Sequence, residues 1–141
     1  MFHIEHVDAP VNQNVSCILK HFDLLIVDDE QRYADMLARR LHLRGLTCAV
    51  RYDGTTALDA VAETHFPAVI LDLRLPDLYG VEVLKRIKAC RPETSVIILT
   101  GHGTDKDRKQ CMSLGADAFM NKPLDIDRLL VIMAGIKKTP L

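Results

Sequence analysis

The chain has 141 residues, of which 48% are hydrophobic and 26% charged, and its 18 basic and 19 acidic side chains leave a formal net charge of −1. This length and composition predict one globular domain with a hydrophobic core, and they exclude a disordered tail, a collagen-like fibre and a disulfide-dense miniprotein. Without a basic excess or a basic-region motif, the chain is not expected to bind nucleic acid directly.

The first residues of the chain differ from the rest. Residues 1–22 carry no strong periodicity, and we expect a loosely ordered leader there, a domain at 23–137 and a short tail at 138–141. The leader lacks the basic-then-apolar order of a signal peptide, and no apolar run approaches the roughly 18 residues of a membrane-spanning helix. The four cysteines are widely spaced, which fits a reducing compartment. We therefore expect a cytoplasmic protein without a membrane partner.

Five segments are predicted to be strands. Three are continuous apolar runs, at Leu24–Val27, Ala68–Leu71 and residues 96–99. None of these runs alternates with polar residues, so each fits a strand that is covered on both faces, as in a parallel sheet. Weaker candidates lie at residues 46–52 and 116–120.

Helical patterns lie between the predicted strands. Gly45 suits the carboxyl-terminal cap of the first helix, Gly80 opens the third, and Pro92 follows its end. The alternation of strand and helix predicts a parallel sheet with helices on both faces, whose ligands bind beyond the carboxyl ends of the strands. The apolar stripes consist of Ala34, Leu37, Ala38 and Leu41, then Leu58, Val61 and Ala62, then Val83, Leu84, Ile87 and Cys90, and finally Ile126, Leu129, Leu130 and Met133.

A further helix, the fourth in the chain, is predicted over residues 104–114 and has little apolar surface. Thr104 and Asp107 have the spacing of an amino-terminal capping box, and Gly115 ends the segment. Residues 105–110 are all polar. Such weak anchorage predicts an element that can move. Its apolar surface is limited to Cys111, Met112 and Leu114.

Polar residues follow the predicted strands at one edge of the sheet. Asp28 and Asp29 follow the first strand, Asp72 the third, Thr100 the fourth and Lys122 the fifth. Three carboxylates at close range repel one another, so at least one pKa would rise unless a cation neutralises them. Oxygen ligands without cysteine or histidine fit Mg²⁺, with Mn²⁺ as an alternative ion. Lys122 and Thr100 would then bind phosphate oxygens, and Asp72 could form an aspartyl phosphate.

Each of these residues taken alone has a simpler interpretation. What favours a common site is their occurrence at the ends of successive strands. The simpler interpretations are a helix cap for Asp28, Asp29 and Glu30, and an ordinary loop, strand-end or turn position for Asp72, Thr100, Lys122 and Pro123.

Four motifs, in this order, resemble the receiver domain of two-component response regulators, the family that includes the chemotaxis regulator. They are LLIVDDE, VILDLRLPDLYG, VIILTGHG and GADAFMNKP. The resemblance covers about residues 22–137. It implies a flavodoxin-like, doubly wound α/β fold, (βα)5, whose five parallel strands have the order 2-1-3-4-5.

The resemblance also implies the chemistry of the strand-end residues. Asp72 would be the phosphoacceptor, and Asp29 would bind Mg²⁺ directly. Asp28 would act on the ion mainly through water. The backbone carbonyl of Arg74 would be a further metal ligand.

A second group of residues would form the switch. Thr100 would be the hydroxyl that moves toward the phosphoryl oxygen, and Lys122 would contact phosphate, with a bond to Pro123 that is usually cis in the family. Phe119 lies where the family has a rotating aromatic residue, although it lacks the hydroxyl of tyrosine. An ordinary core position is the alternative for Phe119.

Two more positions could tune the lifetime of the phosphoryl group. Arg74 and His102 lie two residues beyond Asp72 and Thr100 and could flank the path of the attacking water. Gly101 leaves room beside Thr100. Solvated loop side chains are the alternative interpretation of Arg74 and His102.

The implied function is a phosphorylation switch and not an enzyme with a turnover substrate. A histidine kinase or a histidine phosphotransfer protein would supply the phosphoryl group. The face formed by the fourth helix, fifth strand and fifth helix would then bind a downstream protein. The cognate kinase, a homodimer and a longer regulator containing this chain all stay open. Alternatives are a partner-binding pseudo-receiver and an aspartyl-phosphate hydrolase of the same fold class.

Overall fold

The structure, a computed structural model, describes residues 21–136. Most of the predicted leader and all of the predicted tail lie outside these residues. The described residues alternate between strand and helix from end to end. In chain order the elements are β1 Leu24–Val27, α1 Gln31–His42, β2 Cys48–Arg51, α2 Gly54–Glu63, β3 Ala68–Leu71, α3 Gly80–Cys90, β4 Ser95–Thr100, α4 Asp105–Ser113, β5 Ala118–Asn121 and α5 Ile126–Ala134.

The strands form one parallel sheet in the order β2-β1-β3-β4-β5. Leu24 of β1 lies opposite Cys48 of β2 on one side and opposite Ala68 of β3 on the other. This strand order and the five helices confirm the predicted fold. Because all strands run the same way, their carboxyl ends meet at one edge, and the site lies there.

Both faces of the sheet are covered, which explains the unbroken apolar runs. Leu25 and Val27 of β1 point to a core shared with α2, α3 and α4. Leu24 and Ile26 point to a second core, shared with α1 and α5. Each such large apolar side chain contributes roughly 1.5–3 kcal/mol when fully buried. The two cores fix the sheet as a rigid platform for the residues at its edge.

The weaker strand predictions differ from the structure at their ends. The segment predicted over residues 46–52 contains β2, but Leu46 and Tyr52 only flank the strand and are partly buried. The segment predicted over residues 116–120 begins too early, because the Ala116 N–H donates to the Cys111 carbonyl at 3.0 Å and so closes α4. Polar capping at a helix end thus outweighs the apolar pattern there.

Ordered packing extends to the end of the predicted leader. Phe22 is buried and packs against Phe66, with ring centroids 5.7 Å apart. The chain therefore joins the core two residues before β1 begins. The domain boundaries themselves stay a prediction.

Helix α4 is weakly anchored, as its sequence predicts. Cys111 is its one buried residue among those described. The predicted capping box is present, with the Thr104 hydroxyl accepting from the Asp107 N–H and the Asp107 carboxylate accepting from the Thr104 N–H. Gly115 follows with a φ of +101°, a conformation that favours glycine. Capping and not burial therefore defines this helix.

Helix α5 also exposes apolar surface. Leu129 is its buried residue, whereas Val131 is 74% exposed. None of the helices within residues 21–136 has the length and apolar character required to cross a bilayer.

Asp77 fastens the loop between β3 and α3 to the start of α2. Its carboxylate accepts hydrogen bonds from the N–H groups of Gly54 and Thr55, at 2.8 and 2.9 Å, and from the Thr55 hydroxyl. These bonds, above all that from the Thr55 side chain, lower the pKa of Asp77 to about 2. The loop that follows Asp72 is thus held by a carboxylate at a helix amino terminus.

Replacing Asp77 with alanine is expected to lower the free energy of unfolding by about 1 kcal/mol at neutral pH, as for other lost helix caps. Because folding lowers this pKa, the contribution is complete above the ordinary value of 3.8 and is lost as the pH falls through about 2. The deficit of Asp77→Ala should therefore shrink between these two pH values. Urea unfolding at several pH values measures it, with Asp59→Ala on α2 as the control. A deficit that does not vary with pH contradicts the assignment.

Candidate functional site

Three carboxylates predicted to converge do so at the carboxyl edge of the sheet. Asp28, Asp29 and Asp72 each offer an oxygen, and these oxygens all lie within 4.8 Å of one another. Asp28 and Asp72 are buried, whereas Asp29 is exposed. The cluster is therefore rooted in the sheet and open to solvent on one side.

Lys122 reaches this cluster from the end of β5. Its Nζ lies 2.8 Å from Asp28 Oδ2 and 3.1 Å from Asp72 Oδ2. It also lies 2.7 Å from Glu30 Oε1. The Lys122–Pro123 peptide bond is cis, in agreement with the expectation from sequence. One ammonium group thus faces three carboxylates.

Burial and ion pairing act on these groups in opposite directions. Burial raises the pKa of Asp28, and its bonds with Lys122 and with the Glu30 N–H offset only part of this effect. Burial alone would lower the pKa of Lys122, but the hydrogen bonds to Asp28 and Glu30 outweigh it and the pKa is raised. Lys122 therefore stays protonated and positively charged within the site.

Backbone groups shape the carboxylates further. Asp28 Oδ1 accepts from the backbone N–H of Glu30 at 2.9 Å, and Asp72 Oδ1 accepts from the backbone N–H of Arg74 at 3.4 Å. Gly80 is required by close approach, because a Cβ there would lie 2.5 Å from the Asp72 carbonyl oxygen and 2.5 Å from Leu73 Cα. The start of α3 therefore packs directly against the backbone that carries Asp72.

Thr100 and Phe119 lie side by side beneath the loop after β4. Thr100 is buried, and its hydroxyl oxygen accepts from the backbone N–H of His102 at 3.4 Å. Phe119 is 8% exposed, so its ring is turned inward. A Cβ on Gly103 would lie 2.6 Å from the ring of Phe119 and 2.8 Å from the Thr100 methyl group. The inward ring therefore requires glycine at position 103, which the sequence analysis did not single out.

The predicted tuning residues line an open groove next to Thr100. Arg74 and His102 are exposed and border a groove of about 440 Å³ between α3 and α4. Apart from its chain neighbours, a Cβ at Gly101 would meet Lys122 Cδ at 3.8 Å, an ordinary van der Waals contact within the described residues. An alanine would therefore fit at position 101.

Two residues that sequence reasoning missed, one directly before α1 and one in its first turn, contact Lys122. Glu30 precedes the helix but makes no side-chain cap bond, and its carboxylate binds Lys122. The ring of Tyr33 lies under the same amine, 4.8 Å from Nζ to the centroid. Glu30 therefore occupies the amino-terminal cap position predicted as the simpler interpretation, but its side chain binds Lys122 and does not cap the helix. Only the position of Glu30 directly after the acidic pair could have indicated its role.

The donor set fits a hard divalent cation. Lys122 pairs with Asp28, Asp72 and Glu30, and Asp29 lies beside the two aspartates, so a single ammonium group leaves negative charge uncompensated. The donors are all oxygen atoms, the type that Mg²⁺ and Mn²⁺ prefer. The exposed side at Asp29 leaves room for water ligands and for a phosphoryl group.

Comparison with known proteins identifies similar sequences. The chain is 37% identical over 107 residues to the uncharacterized transcriptional regulatory protein YkoG of Bacillus subtilis (strain 168), which covers 76% of this chain and 47% of that protein. It spans about half the length of the curated relatives it matches.

Two solved structures are similar throughout the fold. The receiver domain of NtrX from Brucella abortus matches with a TM-score of 0.73 and 32% identity over 79% of this chain and 95% of that one. A response regulator from Burkholderia pseudomallei, solved with a phosphorylated aspartic acid, a calcium ion and citrate, matches with a TM-score of 0.75 and 25% identity over 80% of this chain and 66% of that one.

The family model of the response regulator receiver domain matches residues 24–134, which include every strand and helix of the described fold. Receiver domains of this family act as signalling switches in two-component systems. With its parallel sheet, its acidic edge and this match, the chain belongs to the response regulator receiver domains.

Proposed function

We propose that Asp72 accepts a phosphoryl group from a phosphohistidine and that the modified domain switches its affinity for a downstream protein. The observation that carries this proposal is the position of Lys122, whose ammonium lies 3.1 Å from Asp72 within the acidic cluster. A buried carboxylate with a cation beside it is suited to phosphoryl transfer, which depends on positioning and charge neutralisation.

The transfer balances without any further reactant. A carboxylate oxygen of Asp72 attacks phosphorus, a new P–O bond forms, and the P–N bond to the donor imidazole breaks. The electron pair of that bond goes to the imidazole nitrogen. Hydrolysis ends the modified state: water attacks phosphorus, the P–O bond to Asp72 breaks, and inorganic phosphate and a proton are released.

Mg²⁺, or Mn²⁺ in its place, would be held by Asp28, Asp29, Asp72 and the backbone carbonyl of Arg74. When bound, such an ion neutralises charge on the phosphoryl oxygens and on the carboxylates. Asp28 and Asp72 lie together in the buried part of the site, so their mutual repulsion is what ion binding would relieve.

Thr100 and Phe119 would transmit the modification. The ring of Phe119 packs beside Gly103 and Thr100. Movement of the Thr100 hydroxyl toward a phosphoryl oxygen would therefore change the space available to this ring. Helix α4, which is anchored by Cys111, would shift at low energetic cost. The face formed by α4, β5 and α5 would then bind the downstream partner, and Arg74, Gly101 and His102 would tune the phosphoryl lifetime.

The partners follow from this chemistry. A histidine kinase or histidine phosphotransfer protein would donate the phosphoryl group, in the cytoplasm, and Asp72 would act as a phosphoacceptor and not as an enzyme with a turnover substrate. Because the relatives are about twice as long, an output such as DNA binding would belong to a longer protein. A homodimer is a further outcome that the same face could produce.

The test is covalent labelling of the purified chain by a small acyl phosphate. With Mg²⁺ present, we expect a phosphoryl group at Asp72, located by borohydride reduction of the acyl phosphate and peptide mass spectrometry. With a chelator, labelling should fall to background. Absence of labelling under both conditions would support a pseudo-receiver, and continuous turnover of phosphate esters would support a hydrolase.

A further inference from the structure

The amine of Lys122 has two contacts that lie outside the acidic cluster. Glu30 Oε1 is its nearest acceptor, at 2.7 Å, although the Glu30 side chain is 65% exposed. The ring of Tyr33 lies 4.8 Å from Nζ, measured to its centroid. Glu30 directly precedes α1 and Tyr33 lies in its first turn, so both are far in sequence from Lys122, which follows β5.

Tyr33 also binds the backbone that follows Lys122. Its hydroxyl oxygen accepts from the Leu124 N–H at 3.2 Å. One side chain therefore contacts the lysine amine with its ring and the loop after Pro123 with its hydroxyl. Burial raises the pKa of Tyr33, so the hydroxyl stays neutral in this position.

We propose that Glu30 and Tyr33 are positioning residues, which hold the Lys122 amine in the orientation that phosphorylation of Asp72 requires. This inference rests on the proposed function. It assigns control over the rate of phosphoryl transfer to the amino-terminal cap residue and the first turn of α1, in addition to the role of the neighbouring Asp28 and Asp29.

The geometry gives each N–H of the ammonium group a separate acceptor. An ammonium group has three N–H bonds, and the acceptors are Asp28, Glu30 and Asp72. When a phosphoryl group joins Asp72, the N–H that faces Asp72 turns to a phosphoryl oxygen. The lysine N–H that faces Glu30 can keep this acceptor throughout, because Glu30 takes no part in the new bond. Glu30 thus limits the rotation of the amine while its other contacts change.

The charge of Glu30 acts in the opposite direction on donor binding. A carboxylate next to the site repels an anionic phosphodonor, while the same carboxylate orients the lysine for the transfer. Removing the charge should therefore tighten donor binding and slow the transfer. A residue that only stabilises the fold would not separate these two effects.

The experiment measures phosphorylation rate against acyl phosphate concentration for Glu30→Gln in saturating Mg²⁺. We expect the maximal rate to fall about fivefold, which corresponds to the loss of a favourable exposed ion pair, and the half-saturating donor concentration to fall as well. Asp59→Asn removes the same charge from an exposed position on α2 and should match the wild type.

Two substitutions of Tyr33 separate the ring from the hydroxyl. Tyr33→Phe keeps the ring face under Lys122 and should keep most of the maximal rate, whereas Tyr33→Leu should lower it about fivefold, as expected for loss of a cation–π contact. In ¹⁵N NMR, the Lys122 ammonium protons should exchange faster with water in Glu30→Gln and in Tyr33→Leu.

The outcomes distinguish this inference from the function on which it rests. If the wild type is labelled at Asp72 but Glu30→Gln has the same two kinetic constants and the same ammonium exchange, the positioning role is overturned and the proposed function stands. If Glu30→Gln raises the maximal rate, Glu30 competes with the phosphoryl group and the inference is wrong. If the wild type is not labelled at all, the proposed function fails, and this inference fails with it.

Discussion

Asp72→Asn is expected to reduce phosphoryl incorporation to background while the domain stays folded. Asparagine has the same shape as aspartate and can still accept a hydrogen bond from Lys122, but an amide is not the nucleophile that the transfer needs. The buried position of Asp72 at the end of β3 makes an isosteric replacement the right choice. Labelling by acyl phosphate in saturating Mg²⁺ measures the loss, and circular dichroism checks the fold.

The matched control for this variant is Asp59→Asn. Asp59 is exposed on α2, so its replacement changes the charge of the chain equally and should leave labelling unchanged. Because Asp28 and Asp29 lie within reach of the same cluster, peptide mapping must accompany the measurement. Full labelling of Asp72→Asn at another carboxylate would show that Asp72 is not the phosphoacceptor.

Lys122→Met should destabilise the domain by about 3 kcal/mol in the presence of a chelator, the low end of the range for breaking a buried ion pair. The Lys122 side chain is 13% exposed and its partners Asp28 and Asp72 are 4% and 6% exposed, so two buried carboxylates would lose their cation. Mg²⁺ should recover part of this loss, because an ion that binds the folded state stabilises it, and the acidic cluster should bind the ion more tightly once the positive charge beside Asp28 and Asp72 is removed. Urea unfolding with chelator and with excess Mg²⁺ measures both quantities.

Lys106→Met provides the comparison for Lys122→Met, since Lys106 is exposed on α4. This variant should change the free energy of unfolding by less than about 0.5 kcal/mol, as is usual for surface substitutions. A Lys122→Met deficit of equal size with and without Mg²⁺ would contradict the placement of the cation site beside this lysine.

The fold could be predicted because its strongest signals are local. The runs at β1 and β3 are unbroken and apolar, as burial on both faces demands, and the intervening helices carry clear stripes. From there, the meeting of Asp28, Asp72 and Lys122 follows from the rule that parallel strands end at one edge. The start of β5 could not be predicted in this way, because the Ala116 N–H bonds to the end of α4 and no pattern of apolar residues indicates that bond.

Contacts between distant parts of the chain could not be predicted in the same way. Glu30 and Lys122 are 92 positions apart, and nothing in the local sequence shows that an exposed carboxylate reaches across to the lysine. Nothing in the local sequence marks Gly103 either, because the reason for the glycine is the ring of Phe119, which belongs to the next strand. Such pairings depend on the relative placement of loops, which neither periodicity nor residue propensity encodes.

The weak packing of α4 against the core affects how the domain could return to its unmodified conformation. Within residues 21–136, this helix places one small side chain, Cys111, in the core, while its ends are held by capping bonds that travel with it. Two positions of such a helix differ little in buried apolar area, so a coupling free energy of about 1–3 kcal/mol is enough to exchange their populations. If Asp72 is phosphorylated as proposed, a domain built in this way would return to its resting conformation once phosphate leaves, without unfolding and without an external source of work.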